Sequence, residues 1–212
     1  MKPSDKDKLN ILYLDNHLVV VEKEKGLLTQ PSPVVNKSLE TLVKEYLKQK
    51  ENKKSIYLHA VHRLDKEVSG IVVFAKSQKA LSRLNKQMRE KGFEKVYFAT
   101  VEGQVTENNS LKDYLIHGSH KAKVVSKNTK GAKLCELDFK VIKSNKTTSL
   151  LEIHLITGRY HQIRCQLAYL GHPIVGDTKY GAKPRKQKGI ELHQGKISFT
   201  HPTLKKRLEF QV

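Results

Sequence analysis

Apolar residues fall in short blocks along the chain, and their spacing predicts many strands and few helices. Residues 11–14 and 18–22 read as two strands around a turn at Asp15–Asn16. Ser38 stands where a helix cap belongs, ahead of the stripe Leu39, Leu42, Val43, Tyr46 and Leu47. The polar run 48–55 reads as a loop. Residues 71–75 form an unbroken apolar strand, and Ser77 then caps a helix carrying Leu81, Leu84 and Met88. Gly92 is expected to end that helix in the position helices favour for glycine. Residues 95–102 are strand-like, whereas 103–131 are basic, polar and so weakly periodic that no element is assigned.

Alternation returns after Leu134, with Cys135, Leu137, Phe139 and Val141 on one face and Glu136, Asp138 and Lys140 on the other. Leu151, Ile153 and Leu155 alternate with Glu152 and His154 in the next strand. A helix then runs through Leu170, with Ile163, Leu167 and Leu170 as its buried stripe, until Gly171 and Pro173 stop it. Ile197 and Phe199 mark one late strand, and Leu208, Phe210 and Val212 another. This pattern predicts an α+β domain over residues 1–212, built on a mixed, mostly antiparallel sheet with a few flanking helices.

Charge changes the picture more than composition does. Lys+Arg 40 against Asp+Glu 21 gives a formal +19 in 212 residues. A surplus that large repels itself and points to a polyanionic partner, nucleic acid first. No run approaches the roughly 18 apolar residues that span a bilayer, and the start MKPSDKDKLN lacks the apolar segment of a signal peptide. The expectation is a cytoplasmic, monomeric protein that binds nucleic acid and no membrane. Cys135 and Cys165 make neither a disulfide framework nor a four-ligand metal site, and His59, His62, His193 and His201 lack a clear third ligand and base. No metal is expected.

Two stretches are denser in polar, bulky and glycine residues than a core or a solvated loop requires. In His62-Arg63-Leu64-Asp65-Lys66-Glu67-Val68-Ser69-Gly70, a carboxylate sits among three basic residues, a field that favours an ionised nucleophile or base. The plainer reading is a turn in which Asp65 accepts local backbone hydrogen bonds. In Thr157-Gly158-Arg159-Tyr160-His161-Gln162-Ile163-Arg164, a helix would project His161 and Arg164 together, away from its apolar stripe. Those two then meet either solvent or a cleft. Gly171-His172-Pro173-Ile174-Val175-Gly176-Asp177 follows as a tight loop.

Together these stretches resemble the signatures of the RluA family of pseudouridine synthases. His62–Asp65 with Ser69-Gly70 is similar to one motif. Gly158-Arg159 with His161-Gln162-Ile163-Arg164, then Gly171, Pro173-Ile174 and Gly176-Asp177, is similar to a second. Residues 95–101, Lys-Val-Tyr-Phe-Ala-Thr-Val, resemble a third, and the likeness covers nearly the whole chain. Val68, Glu24 and Gln194 depart from the usual threonine, proline and alanine. No small RNA-binding module precedes the first strand near Ile11, so the catalytic domain's own surface would hold the RNA.

The resemblance implies a pseudouridine synthase fold with a central cleft, and an isomerase acting on uridines of structured ribosomal or transfer RNA, with no cofactor. It implies Asp65 as the catalytic carboxylate, Arg164 as its partner and Tyr97 as the ring that stacks on the target base. Whether Asp65 captures ribose C1′, adds to the uracil ring or acts as a base stays open. Arg63 is matched to filling the gap left by the flipped base, or else to a phosphate. His62, Arg159 and His161 complete the expected substrate contacts, with His62 orienting its loop. Lysines 121, 123, 127, 130 and 133, and the group Lys183, Arg185, Lys186 and Lys188, are expected at phosphates or in solvent. The rivals are a non-catalytic RNA-binding or assembly protein and a nuclease; the latter would want clustered carboxylates, and only Glu67 is near.

Overall fold

The structure, a computed structural model, describes residues 9–186 and 189–212; the opening residues 1–8 and Lys188 of the basic group lie outside them. In chain order the first elements are β1 (Asn10–Leu14), β2 (Leu18–Lys23), α1 (Leu39–Glu51), β3 (His59–Ala60), β4 (Ser69–Ala75) and α2 (Gln78–Arg89). Then follow β5 (Glu94–Glu102), β6 (Asn109–His117), β7 (Ala122–Val125), β8 (Lys133–Ser144), β9 (Thr148–Leu155), α3 (Gln162–Tyr169), β10 (Leu192–Thr200) and β11 (Arg207–Gln211). The chain divides into two compact units, Met1–Phe93 with Lys196–Val212, and Glu94–Gly195. The sheet is mixed and mostly antiparallel: β1–β2, β2–β4, β3–β4, β5–β9, β6–β7, β6–β8, β8–β9 and β10–β11 pair antiparallel, and the isolated bridge Leu28–Ser38 is parallel.

In the first unit β2 lies between β1 and β4, with Val20 opposite Val73 and Val21 opposite Val72. Leu18–Val21 and Ile71–Ala75 are all fully buried, which explains why both read as unbroken apolar runs rather than as alternating ones. The preceding turn is an Asp15 device: its Oδ1 accepts from the His17 and Leu18 amides at 2.7 and 2.9 Å. Phe93 and Phe199 stack with centroids 4.9 Å apart and join the core beneath α2.

Both helices of this unit start at the expected serines, Ser38 in a capping box with Thr41 and Ser77 accepting from the Ala80 amide. Their ends differ from expectation. α1 continues through Lys48, Gln49, Lys50 and Glu51, good helix formers, and stops where Asn52 turns left-handed (φ 49°). The loop expected from residue 48 therefore begins only after Glu51. α2 ends on Lys91 rather than Gly92 as the left-handed residue (φ 56°). Lys91 and Gly92 donate to the Met88 and Gln87 carbonyls, a Schellman pairing with its glycine one place late.

The second unit orders its strands β5-β9-β8-β6-β7. Cys135, Leu137 and Phe139 point inward as their alternation predicts, and the register shifts between Val141 and Lys143, where Val141 is only half-buried. β6 and β7 occupy the stretch left unassigned from sequence. Only Leu115 of β6 is fully buried, so its pattern of burial has no period to read. α3 is buried on nearly every side, Gln162 to Leu167 without a break, whereas Leu170 lies past its end, 37% exposed. The expected single stripe with Leu170 is thus replaced by a helix enclosed within its unit. The longest helix has 13 residues, and none among the described residues is long and apolar enough to cross a membrane.

Candidate functional site

In the first unit, Asp65 sits half-buried in the turn between β3 and β4, with Arg63 exposed beside it. The turn closes on itself through the Val68 amide donating to the Asp65 carbonyl at 3.1 Å. His62, half-buried, receives the Val73 amide of β4 at its Nε2 (3.4 Å). Thr29 holds the other side: its hydroxyl donates to the Leu64 carbonyl at 2.9 Å and accepts the Leu64 amide at 3.1 Å.

Beneath the turn lies a residue that sequence reasoning passed over. Lys23 is 0% exposed, and its ammonium donates to the carbonyls of Glu24, Leu27 and Lys66 at 3.0, 2.8 and 3.2 Å. All three of its protons are thereby used. Burial pushes its pKa down to about 8, against the pull of the Asp65 and Glu67 charges. The only signal in the sequence was a lysine ending an otherwise buried strand.

In the second unit, Arg164 is buried on α3 and forks onto Asp177, Nε to Oδ2 at 2.7 Å and Nη2 to Oδ1 at 2.8 Å. Its Nη1 meets His161 Nε2 at 2.9 Å, and Tyr180 lies under the guanidinium, ring centroid 5.2 Å away. An arginine can only donate, so His161 Nε2 accepts; its Nδ1 then carries the proton and donates to the Tyr180 hydroxyl at 3.0 Å. The same hydroxyl receives the Ala122 amide at 2.8 Å. His161 reaches this position as the residue before α3, in a left-handed conformation (φ 53°) with its ring stacked on Tyr160 at 3.9 Å. Such a backbone costs on the order of 1–3 kcal/mol and persists where neighbours over-determine it.

His161 and Arg164 thus come together, as the sequence predicts, but through the helix entry rather than a shared helical face. Gln162 ties that entry down. Its Oε1 accepts from the Thr157 hydroxyl and the Arg159 amide, and its Nε2 donates to the Glu136 carbonyl and to Gln166 Oε1. Gln166 passes the chain on to Asp113 at 2.7 Å. Arg159 itself is exposed, with Nε on the Leu134 carbonyl at 3.1 Å. Tyr97, 7% exposed, is in β5 opposite Ile153. On the same face of β5 Lys95 is buried, and burial lowers its pKa.

Asp177, Tyr180 and Gln166 belong to this network without having been assigned a role from sequence. For Asp177 a trace existed, since it closes the Gly176-Asp177 pair. The buried fork makes a guanidinium of fixed direction, which a carboxylate or phosphate can use without first ordering it.

Residues 17–169 match the family model described as RNA pseudouridylate synthase. An uncharacterised RNA pseudouridine synthase of Mycoplasma genitalium is 35% identical over 207 residues, covering 96% of this chain and 66% of that protein. The ribosomal large subunit pseudouridine synthase C of Vibrio vulnificus is 34% identical over 210 residues, covering 94% of this chain and 64% of its own length. The chain therefore spans just under two thirds of these relatives. Among solved structures, human RNA pseudouridylate synthase domain containing 4 superposes with a TM-score of 0.80 at 22% identity, over 96% of this chain and 87% of that one. That likeness is one of fold.

Proposed function

The chain belongs to the RNA pseudouridylate synthase family, of the RluA type that its motifs resemble, and on that premise we propose that it converts chosen uridines of structured RNA to pseudouridine. The observation that carries the reading is that the family match spans Asp65, Tyr97 and Arg164 together, with Arg164 already braced by Asp177 and His161.

The reaction breaks ribose C1′–N1, turns the base and joins C1′ to C5. N1 gains a proton, and the C5 proton passes to water. Atoms and electrons balance within the nucleoside, so the chemistry is redox-neutral and calls for no cofactor. Asp65 is the carboxylate that acts at the sugar or the ring. Arg164 pairs with it in the reacting complex and fixes its direction. Tyr97 offers its ring face to the detached uracil, confining it while letting it rotate.

The target leaves its stack to reach Asp65, at a cost of a few kcal/mol that is least in a loop or bulge. Arg63, exposed beside Asp65, fills the vacated stack. Arg159 and the basic surface meet phosphates, whereas His161 serves through Arg164. The RNA is ribosomal or transfer RNA. Relatives named for the large ribosomal subunit favour the former. The protein acts in the cytoplasm as a monomer.

The test uses transcripts tritiated at uracil C5, without added metal. Wild type should release label into water, and Asp65→Asn should release none while still binding RNA. Strand cleavage, or release that survives Asp65→Asn, would overturn the reading.

A further inference from the structure

The first unit carries a groove of about 600 Å³ alongside the Asp65 turn, which the proposed chemistry does not use. Its apolar surface comes from Leu27, Leu28, Val35 and Leu42, and exposed Lys25, Lys37 and Lys66 stand around it with a single carboxylate, Glu24. We propose that this groove holds a single-stranded nucleotide of the RNA next to the target uridine, its base against the apolar residues and its phosphates at the lysines.

Three observations converge on that occupant. An apolar patch ringed by ammonium groups suits a ligand with a flat apolar face and a repeating negative charge, which is the chemistry of a nucleic acid strand. The turn at 32–35 is held by Ser32 and Val35 bonding to each other's carbonyls at 2.9 and 3.3 Å, and it presents Val34 and Val35 at 91% and 44% exposure. Apolar side chains held out this way resemble the wedges that proteins place against bases. Finally, the groove and the Asp65 turn are one hydrogen-bonded piece. The Lys66 carbonyl accepts from the Gly26 amide at 2.8 Å and from the Lys23 ammonium at 3.2 Å, and Lys66 both lines the groove and follows Asp65 in the chain.

The inference rests on the isomerase reading, and the experiment separates the two. Fluorescein-labelled decauridylate and an abasic decamer of equal charge are titrated into wild type, Lys25→Glu/Lys37→Glu and Val35→Asp by fluorescence anisotropy. The lysine pair should weaken decauridylate binding at least about tenfold and flatten the salt dependence by roughly 1.4 log units per log unit, two phosphates' worth. Val35→Asp should weaken decauridylate about tenfold more than the abasic decamer, on which only the repulsion of the added charge acts. In the tritium assay both variants should raise KM and keep kcat at saturating transcript.

Decauridylate binding unchanged in both variants overturns the groove, and so does a Val35→Asp loss that is equal on the abasic strand. Lys25→Gln/Lys37→Gln, which reverses no charge, should show the same direction with a smaller loss; no loss there also overturns it. Tritium release with KM unaltered in the variants removes the groove and spares the isomerase. Groove-dependent binding without any wild-type release does the reverse.

Discussion

The Asp65 turn and the start of α3 present opposite solutions to holding one charged side chain. Around Asp65 the main chain is restrained: Thr29 clamps Leu64, and Lys23 gathers three carbonyls beneath the turn. Around Arg164 the restraint falls on the side chain, through Asp177, His161 and Tyr180. On the proposed reading, Asp65 meets a changing substrate from a half-buried place on a fixed backbone. A group that must keep one direction is buried and forked. The difference teaches that removing either charge should affect activity alike but stability very unequally.

The largest expected effect follows from the fork. Asp177→Asn removes the carboxylate onto which the buried Arg164 forks, and unfolding in urea should show a loss of about 3–5 kcal/mol. Asp65→Asn should cost less stability, because Asp65 is half-buried where Asp177 is 1% exposed, while abolishing tritium release. Equal losses in the two variants would end the distinction. Arg164→Met should remove turnover and largely spare RNA affinity; a loss that tracks weaker binding would make Arg164 a phosphate contact.

Next comes the pH dependence of the first unit. The folded protein holds the Lys23 proton less tightly than the unfolded chain, with a pKa of about 8 against 10.5. Unfolding therefore takes up a proton between those values. The Lys23 contribution should raise stability as pH climbs from 8 to 10.5, by up to about 3 kcal/mol, with the full penalty present below 8. Lys23→Met should flatten that dependence, measured by urea unfolding at pH 7.5 and 10. It should also loosen the turn, because three carbonyls lose their donor.

Smaller effects belong to the second unit. Gln194 is 0% exposed, and neither its amide oxygen nor its nitrogen has a partner among the described residues. Gln194→Leu should raise stability by about 1–3 kcal/mol, read as a higher urea midpoint. The smallest change expected is the lack of one: burial raises the Cys135 thiol to about 11 and Cys165 upward too, so iodoacetamide should label neither until the protein unfolds.

Strands β1, β2, β4, β5, β8, β9, β10 and β11, two serine caps and the α+β class were legible from local sequence, because a strand with a buried face or two writes its burial directly into residue type. Asp65, Arg164 and His161 were legible as candidates because charged and aromatic residues crowd into short motifs, whereas Tyr97 entered only through the resemblance to the RluA family. Tertiary structure alone decided that β6 exists, since one buried residue leaves no period, and that α3 is enclosed rather than striped. It alone selected Asp177, Tyr180 and Lys23 as partners. Hydrogen bonds between residues 13 to 43 positions apart depend on how the chain returns to itself, and no local pattern encodes that return.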